Sequence, residues 1–253
     1  MKMLLFSLSH TPTTRACFFF QHLRACLRNG PCTFCASLTE ATTALAPRAT
    51  AQLSLGSFED IPPPPPLQVR RREMYSAAMR FGATASVVED PRLQDGGEWD
   101  ACVVAEVARR GIEASFAVRG SCRRCVVTFD ERGASGHRNH ASTSRGLVLL
   151  RLASESQADS LFGTHFFELE SAPFTSRFLG MLAVPVGLVR SRVDPQPSVL
   201  YANLDVITAF CALAVHETQF VWFRKLFLVF SSYTFLNRLI EIQRPIMPIH
   251  SLR

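Results

Sequence analysis

Two cysteines and two histidines in the middle of the chain have the residue types and spacing of a metal site. Cys122 and Cys125 form a C-x2-C pair, and His137 and His140 follow as an H-x2-H pair after eleven intervening residues. Thiolates and imidazoles at such spacing are typical zinc ligands. Both gaps are shorter than in the finger with two cysteines and two histidines. The pattern predicts one zinc ion, held by all four side chains, as the only cofactor.

The same residues support two other interpretations. A C-x2-C pair performs dithiol redox chemistry when it opens a helix, where the helix dipole favours the thiolate; residues 126–128 are strand-like instead. The histidines lie in a polar loop rich in Gly and Ser, where they would bind nothing. A second pair, Cys32 and Cys35, is much farther from the first pair than the usual zinc-ribbon spacing.

Short elements must position these side chains. Residues 73–81 have apolar side chains at helical spacing, which predicts a helix. Three Val-rich apolar runs are predicted to be strands, and they are residues 101–107, 112–118 and 125–129. Residues 147–152 are a candidate buried strand, and residues 181–189, interrupted by Pro185 and Gly187, an edge strand or loop. The predicted fold class is α+β, with a small β-rich core domain over residues 68–204.

The N-terminal segment has the composition of a targeting sequence. Residues 1–57 contain a single acidic residue, Glu40, together with several Arg and many Ser, Thr and Ala. A basic, Ser-rich and acid-poor segment is typical of organellar transit peptides, which stay disordered until removal. We therefore predict a chloroplast protein, with the mitochondrion as the alternative. Residues 58–67, with five consecutive prolines at 62–66, are predicted to be an extended linker.

The C-terminal segment, residues 205–253, is rich in aromatic residues. Three interpretations remain open for this tail. It could contain helices that are buried or lie at a membrane interface, a membrane span, or translated non-coding sequence in a truncated or mis-spliced product. A span is disfavoured because Arg224 and Lys225 interrupt the longest apolar stretch. Membrane association of the tail is therefore considered but not favoured.

Composition and motifs restrict the function classes. The chain has 253 residues, a formal net charge of +6 and eight cysteines. A positive charge permits contact with nucleic acid or anionic lipid, and the irregular cysteine spacing without a secretory signal argues against a disulfide scaffold. The phosphate loop, the G-x-S-x-G elbow and the H-E-x-x-H zinc motif do not occur in the sequence. From this we predict that the protein is not an enzyme.

Residues 105–130 resemble the cysteine-containing segment of the YceD-like proteins, which support accumulation of large-subunit ribosomal RNA. In that family a β-rich stretch leads from a turn glycine into a C-x-R-C motif, and here Gly111 leads to Cys122-Arg123-Arg124-Cys125. The resemblance covers about a tenth of the chain, and the family leucine after the second cysteine is Val126. Plant members are targeted to plastids, in agreement with the N-terminal segment.

The resemblance implies a non-catalytic organellar factor for ribosome biogenesis and ribosomal RNA processing. Its partners would be ribosomal RNA or ribosome assembly proteins. Arg119, Arg123 and Arg124 would contact RNA phosphates, and such binding weakens steeply with salt. A zinc-stabilised module that binds nucleic acid or protein is the first alternative, and a truncated product without function is the second.

Overall fold

The computed structural model describes residues 3–8, 32–37, 67–80, 83–93, 98–117 and 124–243. Within these ranges the strands are β1 (Met3–Leu8), β2 (Cys32–Ser37), β3 (Ala83–Val88), β4 (Cys125–Phe129), β5 (His165–Leu169), β6 (Ser198–Ala202) and β7 (Leu236–Glu241). The helices are α1 (Leu67–Arg80), α2 (Ala101–Ala117), the single turn α3 (Gly133–Gly136), α4 (Arg138–Ala153), α5 (Ala183–Val193), α6 (Val206–Ala214), α7 (Trp222–Phe230) and the single turn α8 (Ser232–Phe235). Short 3-10 turns occupy Phe174–Ser176, Gly180–Leu182 and Glu217–Gln219.

The described strands form one mixed sheet in the order β3-β1-β2-β4-β5-β7-β6. The pairs β2–β4 and β4–β5 are parallel, and the remaining pairs are antiparallel. Parallel neighbours end at the same edge of a sheet, and ligand sites in such sheets lie outside the carboxyl ends of the strands. The loops that follow β4 and β5 therefore meet at one edge.

Two layers of helix cover the centre of the sheet. Successive side chains of a strand point to opposite faces, and Val126 and Val127 in β4 belong to two different buried clusters. The Val126 cluster includes Val104 and Ile112 of α2 and Leu147 of α4. The Val127 cluster includes Ala78 of α1, together with residues from β3 and the outer strands. Burial on both faces explains the continuous apolar sequence of β4.

The strands predicted at residues 101–107 and 112–118 are wrong, because α2 spans both. The carboxylate of Asp100 accepts hydrogen bonds from the backbone N–H groups of Cys102 and Val103, at 2.8 and 3.0 Å, and so caps the helix. Val104, Val107, Ala108 and Ile112 are buried, at the spacing of one helix face. The segment was predicted to be strands because it is rich in Val, although its buried residues have helical spacing.

Two further elements differ from the sequence prediction. Residues 147–152, a candidate strand, belong to α4, and residues 181–189, predicted as an edge strand or loop, belong to the turn Gly180–Leu182 and to α5. Pro185 lies in the first turn of α5, where a proline has no hydrogen bond to lose. The helix predicted over residues 73–81 is confirmed up to Arg80, and Phe81 lies outside the described residues. The strand Cys125–Phe129 and the mixed α and β class are also confirmed.

Helices α2 and α4 touch at a glycine. A Cβ atom at Gly146 of α4 would lie 2.3 Å from Cγ1 of Val104 in α2 and 3.1 Å from the carbonyl oxygen of Ala101. Real Cβ atoms do not approach other atoms that closely. The close contact of the two helices therefore requires the absence of a side chain at position 146.

Both terminal segments contribute strands to the sheet. β1 and β2 fall within residues 1–57, and β7 lies between β5 and β6 although it comes from the predicted tail. Arg238 of β7 is buried and forms ion pairs with Glu170 and Asp194, at 3.2 and 2.7 Å. Among the described residues, no helix is both long enough and apolar enough to span a membrane. The proline linker at residues 62–66 lies outside the described residues.

Candidate functional site

A strained loop follows β4 at the carboxyl edge of the parallel strands. Gly133 and Gly136 have φ angles of +61° and +86°, and Ala134 between them has a φ of +57°. A left-handed conformation costs a residue with a Cβ atom roughly 1–3 kcal/mol, and such residues cluster at functional sites. The loop begins with Asp130 and ends at α4, so its conformation sets where His137 and His140 lie.

Ser171, which follows the neighbouring strand β5, holds this loop in place. The Asp130 carboxylate accepts a hydrogen bond from the Ser171 hydroxyl at 2.5 Å and another from the Ser171 backbone N–H at 2.7 Å. The same hydroxyl accepts a hydrogen bond from the backbone N–H of Ala134 at 2.8 Å. Because Ser171 follows β5 closely, these hydrogen bonds connect the loop after β4 to the segment after β5.

Tyr233 of α8 connects the same two loops from the C-terminal part of the chain. Its hydroxyl donates a hydrogen bond to the carbonyl oxygen of Ala134 and accepts one from the backbone N–H of Ala172, both at 2.9 Å. Burial raises the pKa of the Tyr233 hydroxyl above its ordinary value of 10.0, and the charge of Asp130 acts in the same direction. The phenol therefore stays protonated and remains a donor at neutral pH.

The orientation of His140 is fixed by its surroundings. Its ring stacks on Phe129, with 3.9 Å between ring centroids and 7° between planes, and its Nδ1 lies 3.0 Å from the carbonyl oxygen of Gly133. With Nδ1–H donating to that carbonyl, Nε2 carries the lone pair. The exposed ring of His137 lies one turn earlier, 5.2 Å from the His140 ring. The structure thus brings the two predicted histidines together at the loop.

A half-buried carboxyl group lies under the same edge. Glu168 of β5 accepts a hydrogen bond from the Ser144 hydroxyl of α4 at 2.8 Å. Burial raises the pKa of Glu168, the carboxylates of Asp130 and Glu131 add to that rise, and the Ser144 hydrogen bond opposes it. Acidic groups are therefore concentrated at the carboxyl end of the parallel strands.

Cys125 and Arg124, the described members of the predicted cysteine and arginine sites, lie away from the histidines. Cys125 is the first residue of β4, at the opposite end of that strand from the histidine loop. The neighbouring Arg124 donates hydrogen bonds to the carbonyl oxygens of Ser160 and Phe162, at 2.6 and 3.5 Å, and its guanidinium lies over the Phe116 ring. The other predicted side chains, Cys122, Arg119 and Arg123, lie outside the described residues. Among residues that are described, no group of three or more His, Cys, Asp or Glu is placed to hold a metal ion.

Sequence reasoning missed three residues that shape the loop, namely Asp130, Ser171 and Tyr233. Asp130 was detectable, because a carboxylate directly after a buried strand is a typical position for a functional group. Ser171 and Tyr233 are 41 and 103 positions beyond it, and no sequence pattern indicates that either contacts the loop.

Comparison with known proteins points to one activity. The chain is 26% identical over 177 residues to N-acetylglucosaminyl-phosphatidylinositol de-N-acetylase of Bos taurus, with 68% of this chain and 65% of that protein aligned. It is 26% identical over 204 residues to a probable enzyme of the same name from Dictyostelium discoideum, covering 70% of this chain and 76% of that protein. It is 28% identical over 173 residues to another from Schizosaccharomyces pombe, covering 65% and 64%. The match thus spans slightly less than two thirds of the bovine protein. No family model and no solved structure matches the chain.

These relatives overturn the ribosomal interpretation. The resemblance to YceD-like proteins covered about a tenth of the chain, whereas the relatives align over about two thirds and carry the name of a de-N-acetylase. The segment that was predicted to be β-rich begins at Ala105, and its first part belongs to helix α2. The non-catalytic ribosomal RNA factor, its RNA and assembly partners, and both alternatives, the interaction module and the product without function, are therefore wrong.

The prediction that the protein is not an enzyme is wrong for the same reason. The motifs sought in the sequence belong to nucleotide-binding, serine hydrolase and metalloprotease families. Their absence excludes those families and not hydrolysis in general. The chloroplast or mitochondrial localisation, predicted from the N-terminal composition, is also wrong, because the relatives are named as phosphatidylinositol-linked sugar de-N-acetylases and not as organellar factors.

Proposed function

We propose that this chain is a de-N-acetylase that hydrolyses the acetamide of an N-acetylglucosaminyl group carried on phosphatidylinositol. The observation that carries the proposal is the alignment with relatives from a mammal, a slime mould and a yeast that share this activity in their names. Hydrolysis of the amide adds water across the C–N bond. The acetyl group leaves as acetate, and the sugar keeps a free amine.

The histidine loop is the part of the described chain that suits this chemistry. It lies at the carboxyl edge of the parallel strands, where sheets of this kind bind their ligands. Its backbone is strained and fixed by Asp130, Ser171 and Tyr233. A site that is fixed before the substrate arrives spends no binding energy on ordering its groups.

His140 is also our proposed ligand of a divalent metal ion, and the neighbouring His137 is kept for proton transfer. Imidazole nitrogen suits zinc, and a ligating histidine usually holds its second ring nitrogen against a carbonyl or carboxylate, as His140 does with Gly133. The described residues supply one well-oriented position of a zinc site and do not complete it. Cys125 lies at the far end of β4 and is left out of this proposal. When bound, such an ion supplies Lewis acidity for the acetamide carbonyl.

The chain's own residues position the reacting groups. Stacking on Phe129 and the contact with the Gly133 carbonyl hold the lone pair of His140 Nε2 in one orientation. His137 is exposed at the loop, and an imidazole can carry a proton at neutral pH. We assign to His137 the delivery of a proton to the sugar nitrogen as the C–N bond breaks, so that the amine leaves neutral.

The test is acetate release by the purified full chain from N-acetylglucosaminyl-phosphatidylinositol, with the metal content measured on the same preparation. We expect release of acetate in equal amount to new free amine. His140→Ala should reduce the rate by at least about a hundredfold, the lower range for loss of a group in general acid–base or metal chemistry. It should also lower the bound metal.

The matched control is His165→Ala, which removes an exposed histidine that pairs with Glu241 at the amino end of β5. This variant should retain the full rate. Absence of acetate release from the wild-type chain, in the presence of zinc and of other divalent ions, would contradict the proposed function. An equal loss in both variants would contradict the assignment of the site.

A further inference from the structure

A large apolar surface is exposed next to the histidine loop. It is formed by α5, α6, α7 and residues 174–182, and we call it the C-terminal apolar face. Phe174, Val193, Ile207 and Trp222 on this face are 72–79% exposed. Monomeric soluble proteins rarely expose large contiguous apolar areas unless the area binds a partner or a membrane.

Helix α7 is the clearest part of this face. None of its nine residues is buried, although six of them are large apolar residues at least 49% exposed. A surface helix normally buries an apolar stripe against its own domain, and α7 presents that stripe outward. At nine residues α7 is about 14 Å long, about half the roughly 30 Å hydrocarbon thickness of a bilayer, which suits a helix lying in the plane of the interface.

The three helices of the face carry charges of one sign, although one of these cations, Arg190, is paired with Glu170 beside the face. Helices α5, α6 and α7 contain Arg190, Arg192, Arg224 and Lys225 and no Asp or Glu. Lys225 extends along the Phe220 ring, with Nζ 4.6 Å from the ring centroid. Aromatic residues mixed with cations and free of acids are the composition of helices that lie on anionic membranes, where cations reach the headgroups and aromatics enter the acyl boundary.

The face is fastened to the histidine loop. Gly180 has a φ of +54°, and a Cβ atom there would lie 2.8 Å from the carbonyl oxygen of Val229 in α7. Just after α7, the backbone N–H of Ser232 donates to the carbonyl oxygen of Arg177 at 2.8 Å. The next residue is Tyr233, which hydrogen bonds to Ala134 in the loop. The end of α7 and the loop are therefore joined through a few residues of continuous backbone.

We propose that the C-terminal apolar face docks on an anionic phospholipid membrane and so holds the histidine loop at the level of the lipid headgroups. The inference rests on the proposed function in one respect, namely that the acetylated sugar is the headgroup of a membrane lipid. The docking surface itself rests on exposure and charge. It gives the enzyme access to a sugar that never leaves the bilayer surface.

The test compares vesicle binding with catalysis in solution. The full chain and the double variant Trp222→Ser/Phe223→Ser are sedimented with vesicles of phosphatidylcholine, with and without phosphatidylserine. We expect the wild type to bind the anionic vesicles better, with binding that falls as salt rises. The double variant should lose at least tenfold in partitioning. Met79→Ser is the matched control, because Met79 is 73% exposed on α1, away from the face, and it should bind like the wild type.

Acetate release from a short-chain, water-soluble form of the substrate separates this inference from the proposed function. The double variant should match the wild type on the soluble substrate and lose activity on substrate in vesicles. A chain that binds vesicles and releases no acetate contradicts the proposed function alone. A chain that hydrolyses the soluble substrate but does not bind vesicles overturns the docking proposal. So does a wild type that self-associates through Trp222 and Phe223 in place of binding lipid.

Discussion

The two ends of strand β4 carry different structures, although the sequence offers reactive side chains at both. At the amino end, Arg124 donates hydrogen bonds to backbone carbonyls and lies over an aromatic ring, as a structural arginine does. At the carboxyl end, three of the four residues 133–136 have positive φ angles, and side chains from distant segments hold this loop. Strain persists only where surrounding contacts enforce it, and for this reason our proposed site is at the strained end.

The largest expected effect comes from the glycine that supports His140. Gly133→Ala forces a Cβ atom to within 2.9 Å of the His140 Cβ atom at a φ of +61°. The loop must shift to relieve this contact, and a displacement of about 1 Å can cost about a hundredfold in rate. We expect a loss of that order in acetate release.

A glycine near the amino edge of the sheet provides the comparison. Gly163 precedes β5 and has a φ of +74°, with open space where a Cβ atom would lie. Gly163→Ala should lose stability from backbone strain, as Gly133→Ala does, but it should retain the wild-type rate of acetate release. Equal activity losses in the two variants would show that strain alone, and not the position of His140, decides the outcome.

A smaller loss is expected for Tyr233→Phe. The substitution removes a donor to the Ala134 carbonyl and an acceptor for the Ala172 N–H, and unsatisfied buried groups cost about 1–3 kcal/mol each. The loop should loosen, with acetate release falling about tenfold and the melting temperature dropping. Tyr75→Phe on the exposed side of α1 is the control for both measurements. Unchanged activity in Tyr233→Phe would mean that the loop keeps its shape without the phenol.

The half-buried carboxyl group of Glu168 at the same edge should give a pH-dependent stability effect. Burial raises the pKa of Glu168 in the folded protein, so the folded state holds a proton that the unfolded state releases. The stability linked to that proton is present below the unfolded pKa and is lost as pH rises through the folded pKa. Glu168→Gln, which keeps an acceptor for Ser144, should therefore raise the melting temperature by a few degrees at pH 8 and change it little at pH 4.

Thermal melts of wild type and Glu168→Gln across that pH range make the measurement. Glu241→Gln is the control for a general change in net charge, because Glu241 is an exposed acid that pairs with His165. A stabilisation that is the same at every pH would contradict a titration origin.

The smallest effect is expected at the amino end. Cys125→Ala removes the described member of the cysteine pair from a half-buried position and should leave acetate release within about twofold, since surface and near-surface changes are usually small. Metal content measured on the same sample should also be unchanged. A chain that loses its metal through this substitution would return the cysteine pair to the metal site and weaken the contrast between the two ends of β4.

Local patterns in the sequence were enough to predict some elements and the histidine pair. The strand Cys125–Phe129 is buried on both faces, so its apolar run is unambiguous. Helix α2 was predicted to be two strands because its sequence is rich in Val, which occurs in helices as well as in strands. The helical spacing of its four buried residues distinguishes the two cases. The order of the strands, with β7 between β5 and β6, depends on pairings across long sequence distances.

The candidate site was half predictable. His137 and His140 were identified by their spacing, whereas their grouping with Cys122 and Cys125 in one zinc site stays a prediction, because Cys122 lies outside the described residues. What fixes His140 is a carbonyl and a ring, Gly133 and Phe129, which have no motif of their own. Ser171 and Tyr233 reach the loop only through the tertiary structure.

The glycine at position 146 has a consequence for how substrate meets this protein. Because position 146 has no room for a Cβ atom beside Val104 of α2, the helix that carries His140 can slide or tilt against α2 only by displacing that buried side chain. Under the proposed function, the substrate would enter a ready-made site and adapt its own conformation to it. Selectivity would then come from rejection of shapes that do not fit.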